Sequence, residues 1–294
     1  MKRTTLTNFR LTISSQAAIA FAAMLTLTAP TAFAQVDLTG VWNPQYHEDQ
    51  DERIPGPALV DYLGLPINDY ARHWALSWDP DRLGLQEHQC QVHTAAYIHR
   101  GPLQMRIWEE RDPQTQDLIA IHLYTSTYEQ NRTFWMDGRP HPPPYAKHTW
   151  MGFSTGEWDG NILTVHTTHI KQGWHRRNGL PSSDEIDLVE HFIKHGDSLT
   201  HVSVVTDPVY LEEPLLKSED YVKSTSSGGN WLWPCEYVNE LPGKDVTEVP
   251  SWLPGENPFL NEFADKHKIP LDAALGGAKT MYPDYVKEIP EDRR

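Results

Sequence analysis

The chain has 294 residues and only two cysteines, Cys90 and Cys235. So few thiols exclude a multi-disulfide scaffold and any cluster of paired CxxC motifs. Basic residues are scarce. Twenty-five lysines and arginines face forty aspartates and glutamates, giving a formal net charge of −15. A chain this acidic, with no basic patch, is repelled by nucleic acid and by anionic lipid. After the first thirty-odd residues there is no apolar run long enough for a membrane-spanning helix. Glycine-rich phosphate loops, GxSxG, HExxH, CxxCH and internal repeats are all missing, which excludes the nucleotide, nucleophile and metal signatures that a sequence shows most plainly. No cofactor is therefore expected.

The first 34 residues have the makings of a secretory leader. Lys2, Arg3 and Arg10 precede an apolar stretch around Ala17–Thr28, and Ala32-Phe33-Ala34 gives the small-x-small pattern before Gln35. The apolar stretch is too short to span a bilayer comfortably, so a cleaved signal peptide is expected over a retained anchor, with a periplasmic or secreted product. No twin-arginine pair is present, which points to ordinary export. In an oxidising compartment Cys90 and Cys235 are expected to pair. The rival is a metal cluster drawing on His88, Cys90 and His93 in "HQCQVH", a weak zinc signature.

Residues 35–241 are expected to form one β domain, and 242–294 a proline-rich extension wrapping it. "LQMRIWEE", "DLIAIHLYTSTYEQ", "GNILTVHTTHI", "IDLVEHFIKH" and "DSLTHVSVVTDPVY" alternate with period two, and "DGR", "WDGN" and "HGDS" supply turns. Short strands at this spacing, without βαβ alternation, predict an all-β antiparallel barrel or sandwich. One helix is expected at "PINDYARHWALSW", with Ile67, Tyr70, Ala71 and Trp74 on its apolar stripe. A second is expected at "NPFLNEFADKHK", capped by Asn257 with Pro258 following.

Gly40-Val41-Trp42 on the first strand is similar to the opening of lipocalin-like barrels, in which the tryptophan closes one end. The blocks "MDGRPHP", "TWMGFSTGEWDGNILTVHTT", "LPSSDEIDLVEHF" and "WPCEYVNE" resemble, in order, those of a large and mostly uncharacterised family of exported bacterial proteins. The resemblance spans roughly residues 90–240 and implies a lipocalin- or calycin-like barrel; it implies no activity. The scaffold residues Gly138, Arg139, Trp150, Gly152, Gly156, Trp158 and Gly160 match. Phe153, Glu157, Asn161, His166, Ser182, Asp187 and His191 stand where the family usually has other polar residues, as in a divergent member with its own substrate.

On the strand at 118–128, Ile119, Ile121 and Leu123 point one way, and His122, Tyr124, Ser126 and Tyr128 the other. The polar row is either a decorated surface or, in a closed barrel, the wall of a ligand-binding lumen. His166 and His169 fall on opposite faces of their strand. Asp187 and His191 share a face but stand roughly 13 Å apart at strand rise, so acid–base partners must meet across strands. A convergence of His122, His166, His191 and His201 on adjacent strands is a possible zinc or copper set, although fifteen histidines make accidental clusters common and no metal is expected. Asn131-Arg132-Thr133 matches a glycosylation sequon and carries no weight.

The resulting expectation is an exported, cofactor-independent lyase, isomerase or hydrolase holding a small, partly apolar molecule in the lumen. His122, Tyr124, His166 and His191 are its acid–base candidates, and Arg139, His141, Tyr128 and His201 its binding candidates. The alternative is a lipocalin-like carrier using the same lumen without chemistry.

Overall fold

The computed structural model describes residues 36–46, 53, 56–101, 103–225, 232, 234–238 and 248–289. The expected leader and the start of the proline-rich extension lie outside these residues. Nine strands close a barrel: β1 (Gly40–Pro44), β2 (Met105–Arg111), β3 (Leu118–Thr125), β4 (Gln130–Trp135), β5 (Phe153–Asp159), β6 (Ile162–Thr168), β9 (Asp187–His195), β10 (Ser198–Thr206) and β11 (Leu215–Lys223). Their order around the wall is β1-β11-β10-β9-β6-β5-β4-β3-β2, with β1 pairing back to β2. A separate two-stranded sheet joins β7 (Gly173–Arg176) to β8 (Leu180–Ser182).

The barrel is mixed, not antiparallel throughout. β4 and β5 run parallel, with Phe134 opposite Ser154 and Trp135 opposite Thr155. The reason lies in Asp137-Gly138-Arg139, which was expected to turn a hairpin. Instead it opens a long crossover that carries the chain back before β5 begins, as a parallel pair requires. "WDGN" and "HGDS" do turn hairpins, with Gly160 and Gly196 at φ +61°.

Alternation decides which side chains enter. Ile121, Leu123, Phe134, Leu163, Val165 and Phe192 point inward and are at most 1% exposed. Trp42 is fully buried in the same cluster, its indole N–H donating to the Leu38 carbonyl at 2.9 Å. The other end is covered by the segment 56–101. Val60, Ile67, Ala71 and Ala96 from that segment pack on Leu188, Val205 and Leu215 at the strand ends.

Helix α1 (Asp69–Leu76) forms where expected, with Asn68 accepting from the Ala71 amide. Its buried face is Ala71 and Ala75; Tyr70 and Trp74 of the expected stripe are exposed. They pack edge to face, and Tyr70 stacks on Tyr210. The C-terminal helix starts at Glu262, later than expected, because Asn257 caps only a turn through the Phe259 amide.

Cys90 and Cys235 are joined in a disulfide, the pairing expected over a metal cluster with His88 and His93. Gly152, after the Thr-Trp-Met run, adopts φ +66°, and a Cβ there would stand 2.5 Å from the Thr168 carbonyl oxygen. Gly152→Ala should therefore cost roughly 2 kcal/mol, from strained backbone and steric displacement together, read as a lowered urea midpoint.

Candidate functional site

The residues capable of chemistry sort onto two sides of the wall. β3 continues the alternation of its apolar row, so His122 and Tyr124 face outward. His166 on β6 and His191 on β9 also face outward, between buried Val165 and Thr167 and between Glu190 and Phe192. The lumen expectation fails for these four because an even period puts all of them opposite the apolar rows that fill the interior.

His122 Nε2 lies 2.8 Å from Glu110 and Nδ1 3.1 Å from Thr133, and the ring stacks on Trp108. Both nitrogens are therefore engaged. Tyr124 walls an open hollow of about 590 Å³ with Arg106, Trp108, Glu129, Asn131 and Leu232. Burial and Glu129 push its phenol up, and among the described residues its buried hydroxyl has no partner. Tyr128 does not join that row. β3 ends at Thr125, Tyr128 and Glu129 take left-handed backbone, and the Tyr128 ring packs edge-on to His93. His191 pairs with Thr164 across the strands at 3.0 Å. Arg139 bonds to Asp137, two residues before it, and lies over the Trp135 ring.

A second outer group gathers where the 137–152 crossover passes over β5, β6 and β9. His166 Nε2 is 2.7 Å from Asp187 Oδ2, a cross-strand pair of two groups that are both about half exposed. Among the described residues His166 Nδ1 makes no hydrogen bond. His141 sits 4.6 Å away, ring to ring, with its nitrogens on Thr168 (2.8 Å) and Thr155 (2.9 Å). Burial, helped by His166 and His169, lowers the His141 pKa, so that ring is held neutral. His169, with φ +57°, bonds to Thr168 and to the Pro143 carbonyl, which ties down the proline-rich loop.

The interior holds a polar layer that the sequence reading mostly missed. Of the eight site candidates only His201 belongs to it. Arg132 grips Glu190 with two hydrogen bonds, 2.9 and 2.6 Å, and both side chains are fully buried. His201 lies between Glu219 (2.7 Å) and Glu190 (3.0 Å). The His99 ring stacks on His201 with centroids 3.8 Å apart, and Arg100 reaches Glu219 at 3.4 Å.

Burial alone would raise the Glu190 pKa, but Arg132 holds it well below the usual carboxylate range. Glu219 is likewise brought down to about 2 by His201 and Arg100 against its burial. Burial and His201 push His99 down to about 4, whereas the two glutamates overcome burial and raise His201. A further buried pair, His175 and Asp207 at 2.8 Å, is completed by Ser183 bonding to Asp207.

These shifts fix a pH dependence. His99 titrates near 4 in the fold against 6.5 unfolded, so its contribution is complete above 6.5 and disappears as pH falls toward 4. Glu219, near 2 in the fold against 4.5, contributes above 4.5 and loses that contribution as pH falls toward 2. His201 has the opposite sign, contributing fully below 6.5 and losing it as pH rises through its folded value. The expected result is a urea midpoint that falls by a few kcal/mol equivalents between pH 6.5 and 3, measured by tryptophan fluorescence.

Glu190 and Glu219 each had a readable signal, and His99 did not. Glu190 is a carboxylate in an inward row between Leu188 and Phe192, and Glu219 precedes inward Tyr221 by two. His99 lies on a three-residue 3-10 turn, Ile98–Arg100, where no period applies.

No family model, curated protein or solved structure matches this chain.

Proposed function

We propose that the protein is an exported acid–base enzyme of the lyase, isomerase or hydrolase class, built on a lipocalin-like barrel but working on its outer wall. The observation that carries this is the His166–Asp187 pair at 2.7 Å beside neutral His141. A carboxylate that accepts from Nε2–H fixes the tautomer, leaves the Nδ1 lone pair to take a proton from substrate, and stabilises the imidazolium that forms. A neutral His141 leaves room for that charge. The substrate is a small, partly apolar molecule lying under the stiff loop of Pro142, Pro143 and Pro144, which is pre-organised by its prolines. The disulfide supports an oxidising compartment, and the export and family resemblance belong to this same reading. No helix among the described residues is long and apolar enough to cross a membrane.

The test is a screen of lactones, terpenoids and aromatic esters, followed by mass change. A converted compound should lose turnover by a factor of about 10² or more with His166→Gln or Asp187→Asn, and none with His195→Gln, at the far end of β9. Unchanged turnover in His166→Gln would remove the assignment. Binding without chemistry is the second reading, and the hollow walled by Arg106, Trp108 and Tyr124 favours it, its volume being that of a small-molecule site. A ligand recovered intact at stoichiometric amount, displaced by Trp108→Ala, would support that reading instead.

A further inference from the structure

We propose that His99, His201 and Glu190 bind one first-row divalent metal ion of the zinc or iron class, and that this ion staples the covering segment 56–101 to the barrel. The argument begins with where protons must sit. The Tyr221 hydroxyl donates to the His99 carbonyl oxygen (3.4 Å), so its own oxygen accepts from His99 Nδ1–H (3.0 Å). That tautomer leaves His99 Nε2 as a bare lone pair. Among the described residues it is a buried nitrogen with no hydrogen bond, and it lies 3.4 Å from Glu190 Oε1.

His201 repeats the arrangement. Its Nδ1–H donates to Glu219 Oε2 at 2.7 Å, which leaves Nε2 3.0 Å from the same Glu190 oxygen. With His201 neutral, two imidazole nitrogens and a carboxylate oxygen thus lie within 4.8 Å of one another in a buried site. Three acceptors facing each other away from water need positive charge between them.

A single proton serves only one of the two rings. Two protons would put like charges on rings stacked 3.8 Å apart. A dication brings the same two charges and serves all three acceptors. Two imidazoles and one carboxylate oxygen suit zinc, iron or cobalt, and do not suit magnesium or calcium.

The surroundings are those of metal ligands elsewhere. Each imidazole gives its other N–H to a carboxylate or hydroxyl, and the carboxylate is steadied by Arg132 through both oxygens. The ligands come from different parts of the fold. Glu190 and His201 lie on β9 and β10, whereas His99 belongs to the covering segment. An ion there joins the cover to the wall. The site is separate from the outer His166 group, so either proposal stands if the other falls.

The test uses the full mature chain, with its disulfide intact, unfolded in guanidinium with EDTA and refolded with zinc, cobalt or iron(II). Elemental analysis after desalting should give about one ion per chain, which native-state EDTA does not strip, because a buried site exchanges only on unfolding. The cobalt form should show visible d–d absorption, and zinc should raise the melting temperature of the wild type but not of His99→Gln. His99→Gln and His201→Gln should each drop the stoichiometry roughly tenfold with unchanged circular dichroism. Refolded wild type that takes up none of the three metals, or a His99→Gln protein that holds a full equivalent, overturns the proposal.

Discussion

Arg132→Met is expected to cost about 3–5 kcal/mol, read from urea unfolding by circular dichroism at pH 7. The guanidinium is wholly buried, donates to Glu190 through both terminal nitrogens and also donates to Thr167 at 3.1 Å. Removing it leaves a carboxylate inside the barrel whose charge was held there by that arginine. A buried charge that keeps, among the described residues, only His201 as hydrogen-bond partner is far more expensive than a missing contact, which is why the loss exceeds that of a shortened apolar side chain. The double variant Arg132→Met/Glu190→Gln removes both charges. It should recover a large part of the loss, because what destabilises is the orphaned partner and not the absence of attraction. Against a typical domain stability of about 5–15 kcal/mol, the single variant uses up a large fraction. A loss below about 1 kcal/mol would show that water reaches Glu190, and that the interior is open in a way the packing of Phe134 and Phe192 does not allow.

The Cys90→Ala/Cys235→Ala protein is expected to lose a comparable amount. The bridge joins residues 145 positions apart, and closing a loop that long in the unfolded chain is worth about 5 kcal/mol on the chain-entropy model. The local setting reinforces it. The Gln89 side chain accepts from the Val238 amide at 2.8 Å and donates to the Val238 carbonyl at 2.7 Å, clamping the segment after Cys235 beside the covering segment. Thermal unfolding of the variant should show a large drop in melting temperature, and reduction of the wild type under mildly denaturing conditions the same. A shift equivalent to less than about 1 kcal/mol would mean that residues 234–238 are clipped on locally and do not restrict the unfolded chain.

Much of the wall was legible because period two is a strong signal wherever one face is fully buried. The strands at 118–125, 162–168, 187–195 and 198–206 all lie where alternation placed them. The parallel β4–β5 pair was not legible, since Asp-Gly is a turn signal in hairpins and in crossovers alike. Alternation identified which residues share a face but not which face is inside. His122, Tyr124, His166 and His191 were grouped as acid–base candidates for a lumen, yet they decorate the outside. The interior polar layer escaped because its members are spread from His99 to Glu219 and meet only through closure of the barrel. Arg132 stood inside a glycosylation sequon and attracted no chemical reading. The His166–Asp187 pair depends on the β6–β9 register, in which Thr167 faces Leu188, and no local spacing encodes that.

The central claim is that the reactive imidazoles lie on the outer wall while those inside are sealed. Carbethoxylation of the native protein, mapped by peptide mass over time, tests it directly. His166, 43% exposed at its side chain, should be modified early, whereas His99, His175 and His201, each at most 5% exposed, should react only after unfolding. Modification of His99 or His201 in the folded protein as fast as His166 would show an open lumen, and the outer-wall account would be wrong.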